Sequence, residues 1–213
     1  TLAPGFGDQK IEIINNKEIK SAGTTGGIGI YADHTTAAVT DSTIQLGSAS
    51  DIDMTSSANG VGVYGKNTSV TGGGNISVNS GGIGMYLENS KAVLNNITMN
   101  LSGNTAVGFN IAGTADISGT GTFNANGTNS VLFNLEKTVP STDFINFSGF
   151  TVNGTGNYIG GNILNAGFYH NNAQAVNEKS TVAIGKNSVI LFDSGTNISV
   201  TGNNNVIATA DGA

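Results

Sequence analysis

An all-β fold built as a single-stranded parallel β-helix is the class this sequence predicts, and three observations predict it. A glycine-rich pentapeptide recurs as Gly27-Ile28-Gly29-Ile30-Tyr31, Gly60-Val61-Gly62-Val63-Tyr64 and Gly82-Ile83-Gly84-Met85-Tyr86. It decays to Ala106-Val107-Gly108-Phe109-Asn110 and Ser130-Val131-Leu132-Phe133-Asn134. A second motif alternates apolar and polar residues, as in Asn75-Ile76-Ser77-Val78-Asn79, Asn96-Ile97-Thr98-Met99-Asn100 and Asn197-Ile198-Ser199-Val200. Between the two lies a third, weaker strand marked by Val39, Val70, Val93 and Ile117. Repetition at a fixed period is the signature of a solenoid, because each unit buries its apolar face only against its neighbours.

The second motif sets the period. Anchored on its first apolar residue it gives Ile19, Ile52, Ile76, Ile97, Phe123, Phe150, a faint Val176 and Ile198. The first interval is 33 residues and the rest run roughly from 21 to 27. Three short strands fit in such a coil, with apolar side chains inward and polar ones outward at period two. Stacked coils stand about 4.8 Å apart. Antiparallel barrels do not require one side-chain type to recur at this interval, leucine-rich repeats need leucines that are sparse here, and propeller blades need a longer period.

Turn chemistry follows. The glycines at 29, 62, 84 and 108 fall between expected inward residues and are read as outward. Asn79, Asn95, Asn96, Asn104, Asn126, Asn153 and Asn203 mark strand ends, where asparagine tolerates left-handed backbone and stacks into amide ladders. The whole chain, 1–213, reads as one β-helical segment of a longer protein. Protruding loops are expected near 32–51, where the first coil is overlong and has room for an extra strand, near 136–143 around Pro140, and near 167–180.

Composition narrows the function. Of 213 residues 32 are glycine, charged residues are 10%, and cysteine and tryptophan are absent. Gly, Asn, Ser and Thr are weak helix formers but suit strands joined by tight turns. All eight basic residues are lysine, and the net charge is −6, so no basic stripe exists to bind nucleic acid. No run of 18 apolar residues is present, so this segment is not expected to contact a membrane.

No catalytic, cofactor or metal site is expected. A lyase that removes a proton beside a carboxylate works with a basic group, often arginine, and calcium; a glycosidase needs two opposed carboxylates. The only close acidic pair is Asp51 and Asp53, read as two outward charges about an inward Ile52. His34 and His170 are isolated and read as exposed loop residues. Neither G-x-S-x-G nor a phosphate-cradling glycine loop opens a helix. One constellation carries a binding expectation: Tyr31, Tyr64 and Tyr86 occupy one slot in successive repeats. They should form an outward aromatic ladder beside open glycine backbone, a platform for a sugar face or a protein surface.

The coil signature G-[IV]-G-[IVM]-Y followed by N-[IV]-[ST]-[VM]-N resembles the passenger domains of type V autotransporters, most of all those of large fusobacterial adhesins. The resemblance spans the chain from about Lys10. It implies a right-handed β-helix, export through the outer membrane, and display on the bacterial surface. The expected function is that of an adhesin segment contacting host or bacterial surface glycans or proteins as a monomer. A polysaccharide-acting or lectin-like fragment and a spacer without its own ligand are the alternatives. No family binding residues carry over, since adhesive residues follow no shared motif.

Overall fold

The computed structural model describes residues 9–13, 18–34, 42–136, 144–146, 150–153, 158–164, 167–170, 180–184, 189–192 and 207–209. Among them every ordered element is a strand and every strand pairing is parallel. The chain is therefore a parallel β-helix. The first described rung holds β1 (Gln9–Ile13) and β2 (Glu18–Lys20). The next holds β3 (Ile28–Asp33), β4 (Ser42–Leu46) and β5 (Asp51–Asp53). Above them β6 (Val61–Lys66) and β7 (Ser69–Val78) complete a third rung. In the following two rungs the three segments run together as β8 (Ile83–Leu101) and β9 (Val107–Ala125).

Pairing is by like over like. Ile30 lies beside Val63, Val63 beside Met85, Met85 beside Phe109 and Phe109 beside Phe133. A second inward column runs Ile52, Ile76, Met99, Phe123. All of these side chains are buried, and burying each one contributes about 1.5–3 kcal/mol. The core becomes aromatic along the rod: Phe109, Phe123, Phe133 and Phe150 form one cluster with ring centroids 5.1–6.1 Å apart.

The stack continues through β10 (Ser130–Glu136), β13 (Tyr158–Leu164), β15 (Ser180–Ile184) and β17 (Ile207–Thr209). β12 (Phe150–Asn153) pairs with β9. A separate three-stranded sheet is formed by β11 (Phe144–Asn146), β14 (Gly167–His170) and β16 (Val189–Phe192).

Corners are built from left-handed residues stacked in columns. Asn67 and Asn89 have φ of 49° and 47°, and Gly113 above them 72°. At the turn into the first motif Asn59, Gly81, Thr105 and Asn129 have φ of 56°, 67°, 58° and 55°. Of the asparagines expected at strand ends, Asn96 is left-handed (φ 56°), and Asn79 instead donates its amide to Thr55 O at 3.0 Å. At Gly119 (φ 114°) only glycine fits, because a Cβ would fall 1.9 Å from Leu94 O.

Several expectations are corrected in register. Ile76 and Ile97 do lie on adjacent rungs, but Ile76 pairs with Met99 and Ile97 with Gly74. An irregularity between Gly72 and Gly74, where β7 is one residue shorter than the strand it meets, accounts for one residue of this two-residue offset. Likewise Phe123 pairs with Val152 and Phe150 with Gly121. In the third strand the inward column is Ile44, Val70, Ala92 and Ile117. Val93 points out and is 43% exposed, and Val39 lies outside the described residues.

The overlong first coil does carry a strand, β4, within the 32–51 interval, and it occupies the third-strand position. Gly167–His170 is strand β14, so the loop expected over 167–180 does not begin there. Residues 137–143 and 171–179, with Val176, Ile198 and Asn203, fall outside the described residues.

Candidate functional site

The pentapeptide strands place their tyrosines one above another because parallel, in-register pairing copies each position onto the next rung. Tyr31 pairs with Tyr64 and Tyr64 with Tyr86. The rings of Tyr31 and Tyr64 stack at 5.0 Å between centroids and 11° between planes; those of Tyr64 and Tyr86 at 5.3 Å and 21°. Beyond Tyr86 the column continues as Asn110 and Asn134, whose amides bond at 2.7 Å with Asn134 Nδ2 donating to Asn110 Oδ1. All three tyrosines are half-buried.

The hydroxyls of Tyr31 and Tyr64 turn along the sheet toward a column of charges. Tyr31 donates to Asp33 Oδ2 at 3.0 Å, and Tyr64 to Glu88 Oε2 at 3.2 Å, while Lys66 Nζ sits 3.0 Å from Glu88 Oε1. Asp33, Lys66 and Glu88 are themselves in register, so the column alternates in sign. The Asp33 hydrogen bond raises the Tyr31 phenol above its ordinary value. Burial, then the Glu88 carboxylate, raises Tyr64 further, and the Glu88 bond holds Lys66 above the usual lysine range.

The glycines are not where the alternation placed them. Gly62, Gly84 and Gly108 are buried and point inward. A Cβ on Gly62 would lie 2.5 Å from Ile76 Cγ2, on Gly84 2.5 Å from Met99 Sδ, and on Gly108 2.5 Å from Phe123 Cε1. Glycine and the next residue both face the core, so the period of two breaks there. Alternation from the tyrosine correctly makes Ala32, Leu87 and Ile111 inward, but carried back to the glycine it points outward, so it does not reveal the break.

The outward neighbour of the ladder is therefore an aliphatic column, Ile28, Val61, Ile83, Val107 and Val131, in register and partly exposed, with Ile28 at 45%. This column was missed because its residues were assigned to the core. The face thus presents aliphatic groups, aromatic ring edges and paired charges side by side. Because the ring faces are spent on one another, the ladder offers edges rather than open faces, which suits packing against a side-chain surface better than stacking on a sugar.

Ile52 is buried between Asp51 and Asp53, as alternation requires. Asp53 accepts from the backbone and hydroxyl of Thr55 and lies 3.2 Å from Lys20 Nζ; the Thr55 bonds and Lys20 hold its carboxyl below the usual range despite burial. His34 is not an exposed loop residue: it is 5% exposed, its backbone N donates to Lys66 O at 3.0 Å, and neither ring nitrogen has a hydrogen-bond partner among the described residues. His170 lies on β14.

Beside the end of β3 runs a buried polar corner. Ser42 Oγ lies 3.1 Å from Thr68 Oγ1, and Thr68 N donates to Ser90 Oγ at 3.1 Å. Among the described residues no three His, Asp or Glu side chains converge as metal ligands, and no helix is long and apolar enough to cross a membrane. No protein-family model, curated protein or solved structure matches the chain.

Proposed function

We propose that this chain is a segment of a bacterial cell-surface adhesin, an autotransporter passenger-like rod that holds binding surfaces away from the cell for attachment to host cells or other bacteria. One observation carries the reading: the in-register column Tyr31–Tyr64–Tyr86 beside the partly exposed Ile28–Val61–Ile83 column. Contiguous exposed apolar surface marks interaction sites, and tyrosine is among the residues that dominate binding energy at such sites. Repetition over several rungs lets modest contacts add up between two cells. The resemblance of the coil motifs to passenger domains supports export through the outer membrane and surface display.

The test is attachment of beads coated with the chain to epithelial cells and to bacteria. The wild type is expected to attach, and the triple variant Tyr31→Ser/Tyr64→Ser/Tyr86→Ser to lose about tenfold or more in apparent affinity while its circular dichroism stays that of a β-rich fold. Equal attachment by the folded triple variant excludes the tyrosine face. No attachment by the wild type favours a spacer role.

A further inference from the structure

The second-motif strands carry another ladder on their outer face, separate from the tyrosines. Thr98, Thr122 and Thr151 are in register across three rungs, and so are Asn100, Asn124 and Asn153. All six side chains are partly or fully exposed. Thr122 Oγ1 and Thr151 Oγ1 are 3.0 Å apart. Asn124 Nδ2 donates to Asn100 Oδ1 at 2.7 Å, and Asn100 Nδ2 donates to Ser77 Oγ at 2.9 Å. An amide has two N–H donors and a carbonyl with two lone pairs, so Asn100 keeps one donor and one acceptor after these bonds.

The same two columns carry charge lower down, at Glu18 and Asp51 in one and Lys20 and Asp53 in the other. From Thr98 to Asn153 these columns carry none. They also lack the Trp, Tyr and Arg that dominate protein interfaces.

We infer that this threonine–asparagine face binds a neutral linear polysaccharide laid along the rod, with one sugar unit to each rung. The repeat matches: successive rungs stand about 4.8 Å apart, close to the advance of one pyranose in an extended, equatorially linked chain. Each sugar then meets the same hydroxyl and amide. A sugar hydroxyl both donates and accepts, as the spare groups of Asn100 require, and the threonine methyl packs on a C–H face. An uncharged array gives an acidic or basic polymer no ion pair to offset the cost of desolvating its charges. The inference deepens the adhesin reading by naming a face and a ligand class for it.

The experiment is co-sedimentation of the full chain with particulate cellulose and with chitin. The wild type is expected to sediment with at least one of them, and Thr98→Val/Thr122→Val/Thr151→Val to bind about tenfold more weakly. Valine keeps the branched shape, and replacing both members of the Thr122–Thr151 pair leaves no orphaned hydroxyl, so the fold is expected to persist. Should the valine variant unfold, Asn124→Asp serves: it removes the donor to Asn100, adds a charge, and is expected to show the same loss. Wild-type chain that binds neither polymer, or folded variants that bind as wild type does, overturns the inference. So does sedimentation-velocity dimerisation that the variants abolish, since the face would then pair with a second copy. Absent polymer binding with cell attachment intact sinks this inference alone; polymer binding without attachment sinks the attachment reading alone.

Discussion

Gly84 is pressed against Met99: a Cβ on the glycine would lie 2.5 Å from the methionine sulfur and 2.7 Å from the carbonyl oxygen of Gly108 on the next rung. One of these neighbours is backbone and cannot move aside without disturbing the ladder. Gly84→Ala is therefore expected to destabilise by about 1–3 kcal/mol, in the range of overpacked cores. Chemical denaturation followed by circular dichroism measures it. If the glycine faced outward the substitution would be nearly neutral or mildly stabilising.

Phe123 fills the space that Gly108 leaves open, and it is fully buried within the phenylalanine cluster. Phe123→Ala is expected to cost about 3–5 kcal/mol. The same denaturation series reads it, and a loss below about 1 kcal/mol would mean that the four rings do not share one core.

Alkaline pH tests the setting of Tyr64. Its phenol titrates above its unfolded value, so the folded chain favours the neutral form. That stability is fully present below the unfolded phenol value near 10 and is lost as pH rises through the folded one. Wild-type stability should fall above about pH 10 more steeply than that of Tyr64→Phe, which has no proton to lose. Parallel curves for the two proteins would contradict the burial beside Glu88.

Asp53 runs the other way. Its carboxyl is held low by Thr55 and Lys20, so its contribution is present above the unfolded value near 4 and disappears as pH falls below it. The stability gap between wild type and Asp53→Asn is expected to close on acidification from pH 5 to pH 3, as urea midpoints would report. A gap that widens would reverse the sign of the interaction. Because Lys20 is more than half exposed, Lys20→Met is expected to leave stability nearly unchanged.

Much of the fold was legible because a solenoid writes its period into the chain. The apolar positions of Ile52 and Ile76, and the tyrosine slot at 31, 64 and 86, pair as their motifs align. What alternation alone misjudged were places where two successive residues share a face. Gly62 with Val63 and Gly84 with Met85 break the period of two, which turned the glycines outward on paper and hid the exposed Ile28–Val61–Ile83 column. Motif alignment also slipped by two residues at Ile97, of which the irregularity at Gly72–Gly74 supplies one. His34 looked isolated in sequence, and only the coil that closes over it makes it buried. The aromatic ladder was legible as stacking; the loss of its ring faces to that stacking was not, since it depends on ring orientation.

Register between rungs is the central claim, and cysteine trapping reads it on a background free of native cysteine. Ser77 and Asn100 are paired across adjacent strands, whose Cα atoms stand about 4.8 Å apart, within disulfide reach. Thr98, two residues along, lies about 8 Å from Ser77 and beyond that reach. Under mild oxidation Ser77→Cys/Asn100→Cys is expected to close a disulfide, whereas Ser77→Cys/Thr98→Cys stays reduced. Preferential closure of the second pair, or of neither, would contradict the stacking described.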